Sequence, residues 1–126
     1  TGELHYINAG HEPPMIFRNQ GDTELLDITG GVVGLFPGAN YRVETTTLNP
    51  GDLIFTYTDG VNEAKNEAGE QFNEDRILQA AVTGNNDVNS FLRLMLDAVR
   101  EFRGEADQSD DITMLALKYL SPSEPD

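Results

Sequence analysis

Two acidic steps stand where side chains could do chemistry together. Asp59-Gly60 ends the apolar run "LIFTYT" (Leu53–Thr58), and Ser109-Asp110-Asp111 precedes the apolar run "ITMLALKYL" (Ile112–Leu120). Carboxylate oxygens at the rim of buried strands are hard donors of the kind that Mg²⁺ and Mn²⁺ select. Asp-Gly is also a common turn, and a Ser-Asp-Asp run can be a solvated loop, so the residue types alone leave both readings open. Other acidic and glycine-rich stretches offer less. Asp59 to Glu70 spans twelve positions with an acid at each end, yet Val61 stands third and Ala64 sixth, where a calcium loop needs a ligand and a glycine. Gly30, Gly31 and Gly34 have no following Gly-Lys-Ser/Thr and make no phosphate loop; they serve backbone turns. His5 and His11 stand in no recognisable nucleophile arrangement, and His5, inside a strand, reads as structural.

The elements that must position the two steps are legible from periodicity. Leu4–Ala9 and Met15–Arg18 read as short strands. Asn19-Gln20-Gly21-Asp22 turns the second into Glu24–Ile28, which predicts a hairpin. Beyond the glycine-rich bend, Tyr41–Leu48 is rich in β-branched residues, and Asn49-Pro50-Gly51-Asp52 leads into Leu53–Thr58, predicting a second hairpin. Neither face of Leu53–Thr58 is strongly polar, so that strand belongs in the interior. Asn73 is placed to cap a helix that begins at Glu74, with Phe72 and Ile77 as a hydrophobic staple and Gly84 as its stop. Asp87 caps a longer helix with Val88, Phe91, Leu92, Met95, Val99 and Phe102 on one stripe, closed by Gly104. These stripes are scaffold. Asp111–Leu120 returns as a strand with apolar residues on both faces, which predicts a central position. Strands, then two helices, then one strand give an α+β fold with a largely antiparallel sheet. If Leu53–Thr58 pairs antiparallel with Ile112–Tyr119, Asp59 falls beside Asp110 and Asp111, and three carboxylates on one rim call for a neutralising cation.

Composition removes whole classes of function. The 126 residues suit one domain able to bury a core. The absence of cysteine excludes thiolate metal sites and cysteine nucleophiles. A net charge of −14, with no basic run, argues against nucleic acid and anionic membrane as partners. No apolar stretch is long enough to span a bilayer and no signal-peptide pattern is present, so a cytoplasmic location is expected. Thr1-Gly2-Glu3 leads straight into "LHYINAG" without an initiator methionine, as in a piece of a longer protein, and strands that neighbour Leu4–Ala9 are expected upstream.

Four stretches carry a family resemblance: "NAGHEPP" (Asn8–Pro14), "GGVVGLF" (Gly30–Phe36), "GDLIFTYTDGVNEAKNEAGEQF" (Gly51–Phe72) and "QSDDITMLALKY" (Gln108–Tyr119). In this order they resemble the C-terminal portion of the metal-dependent protein phosphatase family (PPM, type 2C), in its bacterial sporulation and stress-response branch. The resemblance implies an antiparallel β-sandwich flanked by helices, incomplete at the N-terminus, with residues 1–120 as the C-terminal portion of a phosphatase domain and 121–126 as a disordered tail. It implies a binuclear Mn²⁺ or Mg²⁺ centre in the intact domain, with Asp59 and Asp110 as ligands and Asp111 in a supporting position. Asn8 and His11 belong to a motif of this branch and receive no chemical role. The implied reaction is hydrolysis of phosphoserine or phosphothreonine by a metal-activated water, with no covalent phosphoenzyme. The implied substrate is a phosphorylated anti-sigma-factor antagonist, under control of an upstream sensor or receiver domain. The family's bridging aspartate lies in an upstream Gly-Asp motif that these residues do not contain, so the isolated chain is expected to be inactive. The alternative is a non-catalytic module that keeps the fold to bind a signalling partner.

Overall fold

The computed structural model describes residues 1–27, 29, 42–82, 87–107 and 111–120. The glycines at 30, 31 and 34, the helix stop at Gly84, Asp110 and the tail 121–126 lie outside the described residues. Strands come first: β1 (Glu3–Tyr6), β2 (Met15–Phe17), β3 (Thr23–Leu25), β4 (Glu44–Thr47) and β5 (Leu53–Tyr57). Helices α1 (Asp59–Asn62), α2 (Asn73–Val82) and α3 (Val88–Arg103) follow, and β6 (Met114–Lys118) returns to the sheet. β1 and β4 form a two-stranded sheet, and the other strands form a four-stranded sheet in the order β3-β2-β5-β6. The fold is therefore α+β with antiparallel sheets, as the element order predicted.

The hairpin β2–β3 forms in the register Met15↔Leu25, Ile16↔Glu24, Phe17↔Thr23. The expected second hairpin does not. β4 pairs instead with β1, from Glu3↔Thr47 to Tyr6↔Glu44, while β5 pairs with β2. The residues 49–52 do turn, with the Asp52 amide donating to Asn49 O at 2.9 Å, but the turn carries the chain from one sheet to the other. The cause is where Asp52 goes. It is 1% exposed, and its carboxylate accepts from the amides of Asn49 and Asn19 and from Arg18 Nη1, each at 2.8 Å. The turn is thereby tied to the β2–β3 loop, so β5 leaves along β2 and does not fold back on β4.

The chain divides into two compact units, Thr1–Thr56 with Leu117–Asp126, and Tyr57–Ala116. In the first, Ile16, Leu26 and Leu48 are buried together, with Leu4, Tyr6, Ile54 and Tyr119 packed against them. Residues of both sheets thus share one apolar layer, the arrangement of a sandwich. Arg18 crosses this unit's rim, reaching Asp52, Thr47 O, Thr46 Oγ1 and Glu24.

In the second unit α2 packs on α3, and α1 on α2. Asp87 caps α3 by accepting from the Ser90 amide at 3.2 Å and its hydroxyl at 2.9 Å, and Gly104 closes the helix at φ 59°. Phe91, Met95 and Val99, spaced four apart, are the buried stripe. Asn73 begins α2 at φ 64°, a left-handed conformation that asparagine tolerates better than most residues, and both staple residues, Phe72 and Ile77, are buried. The Phe72 and Phe102 rings meet edge to face at 5.4 Å, with the Arg76 guanidinium 4.4 Å from the centroid of the Phe102 ring.

β5 is interior as expected, lying between β2 and β6 with Leu53, Phe55 and Tyr57 buried. β6 is not central. Among the described residues it stands at the end of the sheet order, and Leu115 and Leu117 are 57% and 53% exposed. Apolar residues on both faces show that a strand can be covered twice, and among the described residues one face of β6 is half-buried and the other exposed.

Candidate functional site

Asp59 and Asp111 lie in the same unit, and the strand pairing that brings their segments together is antiparallel. Tyr119 N donates to Asp52 O at 2.9 Å at one end of β5, and Thr58 N donates to Thr113 O at 3.1 Å at the other. This is the pairing from which the sequence placed the two acidic steps on one rim. The described part of the second step approaches closely: a Cβ built on Gly60 would lie 2.0 Å from Asp111 O and 2.6 Å from its carbonyl carbon. Gly60 is buried, and it is not among the glycines at positive φ. The chain does turn at Asp59-Gly60, with Val61 N donating to Thr58 O at 2.9 Å, but the glycine is needed for the close approach of another backbone and not for a left-handed conformation. Asp59 itself opens the single-turn helix α1.

Thr58 bonds to the same segment with its side chain. Its hydroxyl donates to Asp111 O at 3.2 Å and accepts from Thr113 N at 3.1 Å. Asp59 and Asp111 are both exposed, so solvent and an ion can reach them. Asp110 lies outside the described residues, and among the described residues no group of three or more potential metal-ligating side chains occurs. Asp59 and Asp111 offer carboxylate oxygens on adjoining segments, hard donors of the type that fits a divalent ion such as Mg²⁺ or Mn²⁺ and not a soft metal.

The stretch "NAGHEPP" is organised around Asn8, which is 5% exposed. Its side-chain oxygen accepts from the Gly10 and His11 amides at 3.2 and 2.9 Å, and its amide nitrogen donates to Leu26 O at 3.0 Å. Asn8 braces a loop. His11 is exposed and donates from Nδ1 to Glu12 O at 2.7 Å. His5 is exposed on β1 between Glu3 and Thr45, a surface position. The stretch first tested as a calcium loop instead makes a short antiparallel bridge, Lys65↔Gln71, around Asn66, whose side-chain oxygen accepts from the Ala68 and Glu70 amides.

Two residues were missed in the sequence. Thr58 carried a signal, a hydroxyl immediately before the Asp-Gly step. Asp52 looked like the polar end of a turn and is the most deeply buried acid described. Burial, the largest influence on its carboxyl, pushes the pKa up. Hydrogen bonds from Asn49, Asn19 and Arg18 outweigh that and hold it below the ordinary value of 3.8.

The family described as Stage II sporulation protein E (SpoIIE) matches residues 1–120. Protein IcfG of Synechocystis sp. is 36% identical over 121 residues, covering 93% of this chain and 18% of IcfG. Phosphoserine phosphatase RsbU of Bacillus subtilis is 27% identical over 119 residues, covering 92% of this chain and 35% of RsbU. The chain thus spans about a third or less of these relatives. The solved SiaA-PP2C domain of Pseudomonas aeruginosa superposes with a TM-score of 0.76 at 22% identity, over 94% of this chain and 47% of that one. Among the described residues no helix is long and apolar enough to cross a membrane.

Proposed function

This chain belongs to the SpoIIE family of PP2C-type phosphatase domains, and from that membership we propose that the protein carrying it hydrolyses phosphoserine or phosphothreonine with divalent metal ions held in part by Asp59 and Asp110. Asp111 supports the site from the adjacent position. The observation that carries the reading is the close approach of Gly60 to Asp111 O, which sets the Asp-Gly step against the backbone of Asp111 and supports the assignment. The similarity to RsbU, named as a phosphoserine phosphatase, supports the reaction class. Structures of this fold include a SpoIIE phosphatase domain presoaked with Mn and RsbX in complex with magnesium, which supports the metal class.

When bound, divalent ions lower the pKa of water and neutralise phosphate charge. The work of this chain is to present carboxylate oxygens at fixed positions, on the rim of a rigid strand pair, so that little reorganisation is needed when a phosphoryl group arrives. The substrate we propose is a phosphorylated anti-sigma-factor antagonist, with an upstream sensor or receiver domain governing activity in the cytoplasm. The test is hydrolysis of para-nitrophenyl phosphate by the full-length protein in Mn²⁺. Asp59→Asn and Asp110→Asn should each lower kcat/KM by more than about 100-fold, beyond the 10–100-fold typical of residues that only support a metal ligand. Unchanged turnover in either variant would refute the assignment.

A further inference from the structure

We infer that Thr58 is a positioning residue of the proposed metal-binding rim, setting the separation of Asp59 and Asp111 through its side-chain hydroxyl. The inference rests on the proposed metal-dependent reading and adds a residue to it. β6 begins only at Met114, so residues 111–113 precede the regular strand. Thr58 makes three hydrogen bonds to that short segment: its amide to Thr113 O, its hydroxyl to Asp111 O, and its hydroxyl from Thr113 N. A hydroxyl has one proton to donate, and here that proton goes to the residue next to Asp110. Its acceptor capacity is used two residues further on. Thr58 is itself the residue before Asp59. One side chain therefore couples the backbone that carries Asp59 to that of Asp111, at the place where Gly60 approaches Asp111 O.

The hydroxyl matters because Mg²⁺ demands near-ideal octahedral geometry and tolerates little error in ligand placement. Partners that orient ligands without touching the metal typically change affinity by 10–100-fold when removed. The side chain is half-buried, so its hydrogen bonds compete with water, and a small residue able to keep the chain extended could replace it without collapse of the strand.

The test uses the full-length protein and reads Mn²⁺ binding by electron paramagnetic resonance of the free ion, with phosphatase assays as a second readout. Thr58→Val keeps the shape and removes the hydroxyl; Thr58→Ser keeps the hydroxyl. Thr58→Val should weaken Mn²⁺ binding about tenfold and raise the Mn²⁺ concentration needed for half-maximal rate by a similar factor. Thr58→Ser should stay within about twofold of the wild type on the same scale. Thr58→Ala is the second probe of the same loss if the valine variant does not fold, and failure of both to fold would overturn the inference by making Thr58 a folding residue. Wild-type Mn²⁺ affinity in Thr58→Val, or equal loss in Thr58→Ser, would also overturn it. Asp59→Asn separates the two levels. If it abolishes Mn²⁺ binding while Thr58→Val changes nothing, only the positioning role falls; if it too binds like the wild type, the metal-dependent reading falls with it.

Discussion

Asp52→Asn tests whether the buried carboxylate of Asp52 directs the chain between sheets. The carboxylate accepts three hydrogen bonds at 2.8 Å and is buried with Arg18, whose side chain is 13% exposed. Breaking a buried ion pair from one side costs about 3–5 kcal/mol. Arg18 keeps Glu24, Thr46 and Thr47 as partners, so the cost belongs at the low end, about 3 kcal/mol. That is a large part of the 5–15 kcal/mol that holds a typical domain folded. With a urea dependence of about 1.5–2 kcal/mol/M, the midpoint should fall by about 1.5–2 M. The effect has a pH signature. The folded carboxyl titrates below its ordinary value of 3.8, so the folded state binds its proton more weakly than the unfolded state. Its contribution is therefore complete above about pH 4–5 and is lost as pH falls through 3.8 towards the lower folded value. The gap between wild type and Asp52→Asn, measured by urea unfolding followed by circular dichroism, should narrow on acidification through that range. A gap under about 1 kcal/mol at neutral pH, or one that does not narrow, would refute the reasoning.

Gly60→Ala should cost about 3 kcal/mol, the upper end for overpacking, because its Cβ would meet a backbone carbonyl oxygen at 2.0 Å and not a flexible side chain; thermal unfolding at the wild-type midpoint would contradict this. Asp87→Ala should destabilise by about 1 kcal/mol through loss of the α3 cap to Ser90, read as a shift of the urea midpoint with unchanged slope.

Local chemistry in the sequence was enough to place much of the fold. The α3 stripe, its Asp87 cap and its Gly104 stop follow from helical period and capping, and the β2–β3 hairpin follows from the polar residues 19–22 between two short strands. The pairing of β5 with β6 was also inferable, because antiparallel strands bring opposite ends together, and it placed Asp59 and Asp111 on one rim. Local signals failed where a nonlocal partner outweighed them. The turn at 49–52 looks like a hairpin from its own residues, yet Arg18 and Asn19 capture Asp52, and β4 finds β1 more than 35 residues away in sequence.

What the sequence by itself determined is the chemistry available: hard carboxylate donors, no thiols, a strongly negative chain, and four ordered motifs of one phosphatase family. What only the tertiary structure decided is why particular residues stand where they do. Gly60 is glycine because Asp111 O leaves no room for a Cβ, and the Thr58 hydroxyl spans two residues of a segment 53 to 55 positions away. The partners of such contacts leave no period in the chain, because each depends on a backbone that arrives only when the sheet has formed.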